Sequence, residues 1–266
     1  NAIGRVQPYA LIEQTVSWLR EAGVTSLNLD LMYGLPGQRW PDLEDTLSRS
    51  LALGADRIAL FGYAHVPHLI PRQRAIPDND LPGMQARFEM AERGFEYLTT
   101  RGYVPIGFDH FARPTDPLAI AASEGKLRRN FQGFTDDPAP ALLGLGASAI
   151  SSFPGLLAQT EKNTGRYRML LSQDHLPVAH GKVRSAEDRY RGAVIERLLC
   201  DGRARLGTRL LHENRRALQP FIDRGLADMR DDTLTILPQG LPYSRTIAAL
   251  FDPYRQDSQR RFSSAV

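Results

Sequence analysis

Between Pro8 and Phe108 the chain alternates amphipathic helical seams with short apolar runs, and glycine or proline separates each from the next. Pro8 opens a stretch in which Leu11, Ile12, Thr15, Val16, Trp18, Leu19 and Ala22 follow helical spacing, with Gly23 placed to end it. Leu27 to Tyr33 reads as a short, mostly buried strand closed by Gly34-Leu35-Pro36-Gly37. Pro41 opens a second helix, with Leu43, Leu47 and Leu51 one turn apart. Asp56 to Tyr63 reads as a second strand. Met84, Phe88, Ala91, Phe95 and Leu98 form a third helical seam stopped by Gly102, and Tyr103 to Phe108 reads as a third strand. Helices and strands alternating at this spacing predict an α/β fold, with a parallel sheet and helices outside it.

The pattern changes after Asp109. Phe111 to Gly146 is rich in loop signals, and a small-residue strand is expected at Ala147 to Ser151. From Ser185 the chain reads as a separate α-rich module. Ser185 and Asp188 mark a helix start, followed by Tyr190, Val194, Ile195, Leu198 and Leu199 on one side. A second helix is expected from about Leu210 to Asp223, a short strand at Thr233 to Leu237, and a last helix from Pro242 to Tyr254. That order suggests a winged-helix-like module. The expected divisions are residues 1–110, 111–184 and 185–266.

Composition narrows the function classes. With 266 residues there is material for an ample core. One cysteine excludes a disulfide framework and fits a reducing compartment. No apolar run approaches the ~20 residues needed to span a bilayer, and no signal-peptide pattern is present. A net charge of +3 is mild, and no long Lys/Arg run points to nucleic acid. The Arg203 to Arg216 segment is basic, which would suit a nucleic-acid or protein-interaction piece, but it lacks the interleaved aromatics such binding favours.

Several residues carry candidate chemistry. Asp30 stands in an apolar run that ends at Tyr33, so its carboxylate is placed to meet ligand hydroxyls at the carboxyl end of a parallel strand. The alternative is an Asp that caps its own turn or pairs with a base. Ala64 ends the next strand, where a small residue admits a flat ring or simply closes a tight turn. His65 could meet a carboxylate or satisfy a buried carbonyl. Asp109-His110-Phe111-Ala112-Arg113-Pro114 joins acid, imidazole and guanidinium, with Lys126, Arg128 and Arg129 close in sequence. Together these suit an acidic substrate, although each base alone would more often be solvated. Phe131-Gln132-Gly133-Phe134-Thr135 offers stacking and an amide, or a plain turn. Gly144 to Ser151 lacks the Lys-Ser/Thr pair of a phosphate loop and is not read as one. Cys200, late in a helical seam, reads as a buried small hydrophobe.

The segments Asp-His-Phe-Ala-Arg-Pro at 109–114 and Asn-Phe-Gln-Gly-Phe-Thr at 130–135, with Asp-Leu-Met-Tyr-Gly-Leu-Pro at 30–36, resemble the oxygen-independent coproporphyrinogen III oxidases. The likeness runs from Arg5 to about Tyr254. It implies the carboxyl-terminal part of a radical S-adenosylmethionine (SAM) partial (β/α)6 barrel, followed by the winged-helix-like module. It implies that Arg5, Asp30, Ala64 and Ile150 contact SAM, and that Met32, Phe131 and Gln132 lie beside a second SAM molecule. Gly4 replaces the family's usual Asn before Arg5, and Met32 its usual Ile. His110, Arg113 and Arg129 are the expected substrate-binding residues.

Family members are cytoplasmic, monomeric enzymes of haem synthesis. They convert coproporphyrinogen III to protoporphyrinogen IX by oxidative decarboxylation of two propionates, using a 5′-deoxyadenosyl radical. They also carry a [4Fe–4S] cluster on a CxxxCxxC motif, reduced by an electron donor protein; no nucleic acid or membrane partner is implied. Cys200 alone cannot supply that motif. The expectation is therefore that the three-cysteine loop, a glycine-rich SAM segment and a cluster-side Tyr precede Asn1. The 266 residues alone would then be inactive, with no metal ligand and no assigned catalytic residue of their own. A rival expectation is a related haem chaperone, which binds haem without porphyrinogen turnover and shares the Asp30 strand motif.

Overall fold

The computed structural model describes residue 3 and residues 6–256. These divide into two units, one running to Gly125 with residues 241–243, the other comprising Lys126–Gly240 and Ser244–Gln256. Among the described residues no helix is long and apolar enough to cross a membrane.

In the first unit, helix α1 (Tyr9–Glu21) leads to strand β1 (Asn28–Tyr33), helix α2 (Trp40–Ala52) and strand β2 (Arg57–Gly62). Pro41 lies in the first turn of α2, where its missing N–H costs nothing, and Asp42 accepts the Arg39 amide at 2.8 Å. Helix α3 (Met84–Thr99) follows, then β3 (Val104–Ile106), β4 (His110–Ala112) and helix α4 (Pro117–Ser123). Leu43 and Leu47 of α2, Met90 and Leu98 of α3, and Ile58 and Leu60 of β2 form one buried cluster, against which Leu29 and Leu31 of β1 pack. Burying these side chains supplies the main driving force for the unit.

β1 and β2 pair in parallel, with Asp30 opposite Ala59 and Met32 opposite Phe61. Two expectations are corrected. The third strand does not continue a parallel sheet. The three residues between β3 and β4 return the chain as a hairpin, and β4 inserts antiparallel between β2 and β3, giving the order β1-β2-β4-β3. A parallel neighbour needs a crossover of about a dozen residues, which Gly107 to Asp109 cannot provide. β1 is also not mostly buried: Asn28 and Asp30 are exposed, while Leu29, Leu31 and Tyr33 turn toward the core. Strand alternation sends successive side chains to opposite faces, and the core covers one of them.

The start of α4 is held by a buried acid. Asp116 accepts the Leu118 amide at 2.8 Å, the Arg57 Nε at 2.7 Å and the Ser26 hydroxyl at 2.8 Å.

The second unit begins with a two-strand hairpin, β5 (Arg128–Arg129) and β6 (Phe134–Thr135). A second sheet follows, from β7 (Ile150–Phe153), β8 (Leu156–Thr160) and β9 (Val178–Val183), with helix α5 (Thr164–Ser172) between the last two. The strand expected at Ala147 to Ser151 therefore starts three residues later. Ser148 has φ +65°, which β backbone does not tolerate.

Helix α6 (Ala186–Asp201) starts on the predicted cap: the Asp188 amide donates to the Ser185 hydroxyl at 3.1 Å, and the Ser185 amide to Asp188 at 2.8 Å. Strand β10 (Arg203–Arg205), helix α7 (Thr208–Asp223), β11 (Ala227–Arg230) and β12 (Thr233–Ile236) complete an antiparallel sheet ordered β10-β12-β11. The helix-plus-small-sheet order agrees with the sequence reading, but β10 and β11 were not anticipated. The single helix expected from Pro242 is divided into α8 (Ser244–Ala249) and α9 (Pro253–Gln256), because Pro253 cannot continue the first.

Candidate functional site

Asp30, Ala59 and His110 occupy one row across β1, β2 and β4, so their side chains share a face. Asp30 is exposed, and its Oδ1 accepts the Asn28 side-chain amide at 2.6 Å. His110 lies with Nδ1 2.6 Å from Asp109 Oδ1 and meets the Phe61 ring edge-on at 5.8 Å between centroids. Asp109 thus fixes the imidazole orientation, and Phe61 flanks it.

Parallel pairing brings the ends of β1 and β2 to one edge, where ligands collect in such sheets. Three long polar side chains pin the backbone there. Gln38 donates to the Met32 carbonyl at 3.2 Å and accepts the Leu35 amide at 3.1 Å. Gln73 donates to the Ala64 carbonyl at 2.9 Å and accepts the Val66 amide at 2.6 Å. Arg87, from α3, donates to the Tyr63 carbonyl at 2.9 Å. Ala64 itself is exposed. Burial raises the Tyr63 hydroxyl above its usual range, although Gln73 works against the rise. His65 stands 3.1 Å from Asp78 through Nε2, while its Nδ1 and the Arg87 Nε are buried without a hydrogen-bond partner among the described residues. An open carboxylate and a small exposed residue fit a ligand bearing hydroxyls and a flat ring. Gln38, Gln73 and Arg87 were missed in the sequence because they lie on neighbouring elements and announce no motif. The paired strand-end glycines Gly34 and Gly62 were the available hint, since a Cβ at either would press on Arg87.

Arg113 is not brought to this edge. Its amide donates to the Asp56 carbonyl at 2.9 Å and its Nε to the Ala55 carbonyl at 3.1 Å, at the opposite end of β2. The antiparallel course of β4 causes this, because moving forward from His110 retreats along β2. Arg5 lies outside the described residues.

In the second unit Asn130 shapes the turn of the β5–β6 hairpin. Its Oδ1 accepts the amides of Gln132 and Gly133 at 2.8 and 3.2 Å, leaving Phe131 and Gln132 exposed. Arg129 lies over the Phe134 ring at 5.4 Å. Ile150 opens β7 opposite Gln159. A Cβ at Gly144 would stand 2.8 Å from the Ile150 carbonyl oxygen, so the Gly-rich stretch serves close backbone packing here.

Cys200 is buried on α6, and burial pushes its thiol up to about 12. Among the described residues no group of three His, Cys, Asp or Glu side chains could hold a metal. One cysteine in the sequence cannot by itself supply the several thiolates that a [4Fe–4S] cluster takes.

No protein-family model matches the chain. A Thermostichus vulcanus protein named oxygen-independent coproporphyrinogen III oxidase is 37% identical over 277 residues, covering all of this chain and 85% of the relative. The chain belongs to the oxygen-independent coproporphyrinogen III oxidases. A Cereibacter sphaeroides member of that name is 41% identical over 278 residues, covering 100% of this chain and 60% of the relative. The solved coproporphyrinogen III oxidase of Escherichia coli, described as a radical SAM enzyme, is 36% identical with a TM-score of 0.87, over 94% of this chain and 60% of that one. The chain thus spans about 60% of the length of most of the curated oxidases it matches. The mixed α/β fold is that of the corresponding part of the E. coli oxidase.

Proposed function

We propose that this chain is the carboxyl-terminal part of an enzyme of haem biosynthesis that oxidatively decarboxylates two propionates of coproporphyrinogen III without oxygen, giving protoporphyrinogen IX. The observation that supports it best is the shared face of Asp30 and His110, with Ala64 just past the end of β2, in a chain 41% identical over its whole length to a named oxidase.

Asp30, Met32 and Ala64 would hold SAM in the first unit, and the family resemblance assigns further SAM contacts to Arg5, Phe131, Gln132 and Ile150, two SAM molecules in all. Asp30 keeps one carboxylate oxygen for ribose hydroxyls while the other is tied to Asn28. Ala64 offers a ring a surface without a side chain in the way. When bound, SAM supplies the group that removes hydrogen from the propionate β-carbon. Each propionate would then lose CO2, pass one electron to an acceptor outside these residues, and become a vinyl group. His110, oriented by Asp109, and Arg129 are the substrate-facing residues; Arg113 would act with them only if the substrate reaches the far end of β2. The cluster and its electron donor protein belong with cysteines outside these residues, and the reaction is cytoplasmic.

The test is anaerobic turnover of coproporphyrinogen III by the complete protein after cluster reconstitution, read as protoporphyrin fluorescence once the product is oxidised. Tight stoichiometric haem binding without turnover would replace this reading with a haem-binding one.

A further inference from the structure

A groove of about 670 Å³ lies within the second unit, bounded by the β5–β6 hairpin, the β7–β8 sheet and α6. That volume is in the range of pockets that hold small organic ligands. Leu142, Phe153, Leu157 and Ile195 give it an apolar wall. Its charged lining is unequal: Arg128, Arg129, Arg184 and Arg189 against Asp137 and Glu196.

Both acids are already engaged, and Glu196 offsets Arg128 within the groove, which leaves Arg184 and Arg189 as the cations to account for. Glu196 accepts from the Arg128 Nε at 2.8 Å and from the Arg129 amide at 3.1 Å. Asp137 accepts the Ala139 amide at 2.9 Å. Arg189 donates to the Arg184 carbonyl at 3.1 Å and pairs with no carboxylate among the described residues. Arg184 is fixed by its backbone, whose amide donates to the Gly155 carbonyl at 2.9 Å. Arg184 is half-buried, and its guanidinium lies against Gly192 of α6, where a Cβ would stand 2.9 Å from Nη2. Among the described residues no carboxylate lies within ion-pair reach of it. A cation held in a groove, beside apolar walls and without an acid, favours an anion that carries an apolar body.

We propose that this groove binds an amphipathic polycarboxylate, with Arg184 and Arg189 meeting its carboxylate arms and the apolar wall taking its body. The planar guanidinium fork matches a carboxylate two-pronged. The inference rests on the enzyme reading above for the ligand's class, a tetrapyrrole with propionate arms, and adds two residues that no motif marked. A nucleotide would offer the fork a phosphate instead, and its binding is the competing outcome.

The probe is coproporphyrin III, the stable aromatic tetracarboxylate, titrated into the 266-residue chain and followed by fluorescence. Arg184→Gln and Arg189→Gln should each weaken binding about tenfold, the loss of one charge-assisted hydrogen bond. The tetramethyl ester should bind at least about tenfold more weakly than the acid. Arg184→Lys, which keeps charge without the fork, should fall between wild type and Arg184→Gln, and supports the assignment if Arg184→Gln fails to fold. No binding by the wild-type chain, unchanged affinity in folded variants, equal binding of the ester, or displacement by equimolar ATP overturns the proposal. In the complete protein, turnover with a KM unaffected by Arg184→Gln overturns the groove alone. Arginine-dependent porphyrin binding without turnover overturns the enzyme reading alone.

Discussion

Arg87 reaches from α3 to the Tyr63 carbonyl, 2.9 Å away, and so ties a surface helix to the strand edge that carries Ala64. Its side chain runs beside Gly34 and Gly62, so one guanidinium borders the ends of both β1 and β2. Arg87→Met keeps the bulk but removes the donor. It should lower stability by about 1–3 kcal/mol, the cost of a lost charge-assisted hydrogen bond. Urea unfolding of the chain measures this, and an unmoved midpoint would show that the link contributes nothing.

Gly34 has φ +77°, and a Cβ there would stand 3.0 Å from the Arg87 Nε. Gly34→Ala meets both the left-handed backbone and that contact. Left-handed backbone alone costs an L residue about 1–2 kcal/mol. In the Arg87→Met background part of the penalty should disappear, because the guanidinium is gone. A double-mutant cycle with full additivity would exclude the contact as a cause.

Asp30→Ala should leave stability within about 0.5 kcal/mol, since the side chain is exposed and its contact is local. In the complete enzyme the same change should weaken SAM binding by about 1–3 kcal/mol through a lost charge-assisted hydrogen bond. Calorimetric titration separates the two effects. Equal SAM affinity in the variant would remove Asp30 from the site.

Asp56 joins α1 to β2. Burial alone would raise its carboxyl, but hydrogen bonds from Arg20 at 2.5 Å and from the Leu27 amide at 2.8 Å hold it below the ordinary 3.8. The folded state therefore binds the proton less readily than the unfolded one. The stability this contributes is complete above pH 3.8 and is lost as pH falls through the lower folded value. Melting temperature followed downward from pH 6 should fall more steeply below about pH 4 in wild type than in Asp56→Asn. Parallel curves would contradict the assignment.

Cys200 should resist iodoacetamide at pH 9 in the folded chain and react promptly in guanidinium chloride, because its thiol stays protonated until about 12. Mass spectrometry reads the difference. Rapid labelling of native protein would mean that α6 opens readily.

Helix α3 crosses β2 at Gly94, where a Cβ would meet Leu60 Cδ2 at 2.7 Å. Gly94→Ala overfills that contact and should cost about 1–3 kcal/mol, despite alanine's better helix propensity. Adding Leu60→Val should recover part of the loss. A stabilised Gly94→Ala chain would show that the helix moves away at little cost.

By itself the sequence determined the features that act over a few residues. The helical seams of α1, α2, α3 and α6 stand in the spacing of their apolar side chains, and the Ser185 cap of α6 in its first four residues. The run ending at Tyr33, with Asp30 inside it, and the position of Ala64 just past β2 were legible for the same reason: alternation and punctuation are local. Tertiary structure alone decided where β4 goes. A three-residue connection makes a hairpin, but only pairing with β2, distant in sequence, sets Arg113 beside Asp56 and His110 beside Ala59. It also decided that Arg87, Gln38 and Gln73 hold the ends of β1 and β2, since each bonds to a backbone carbonyl there. A backbone carbonyl has no side-chain identity for the sequence to display, so its partner becomes visible only when the chain has folded.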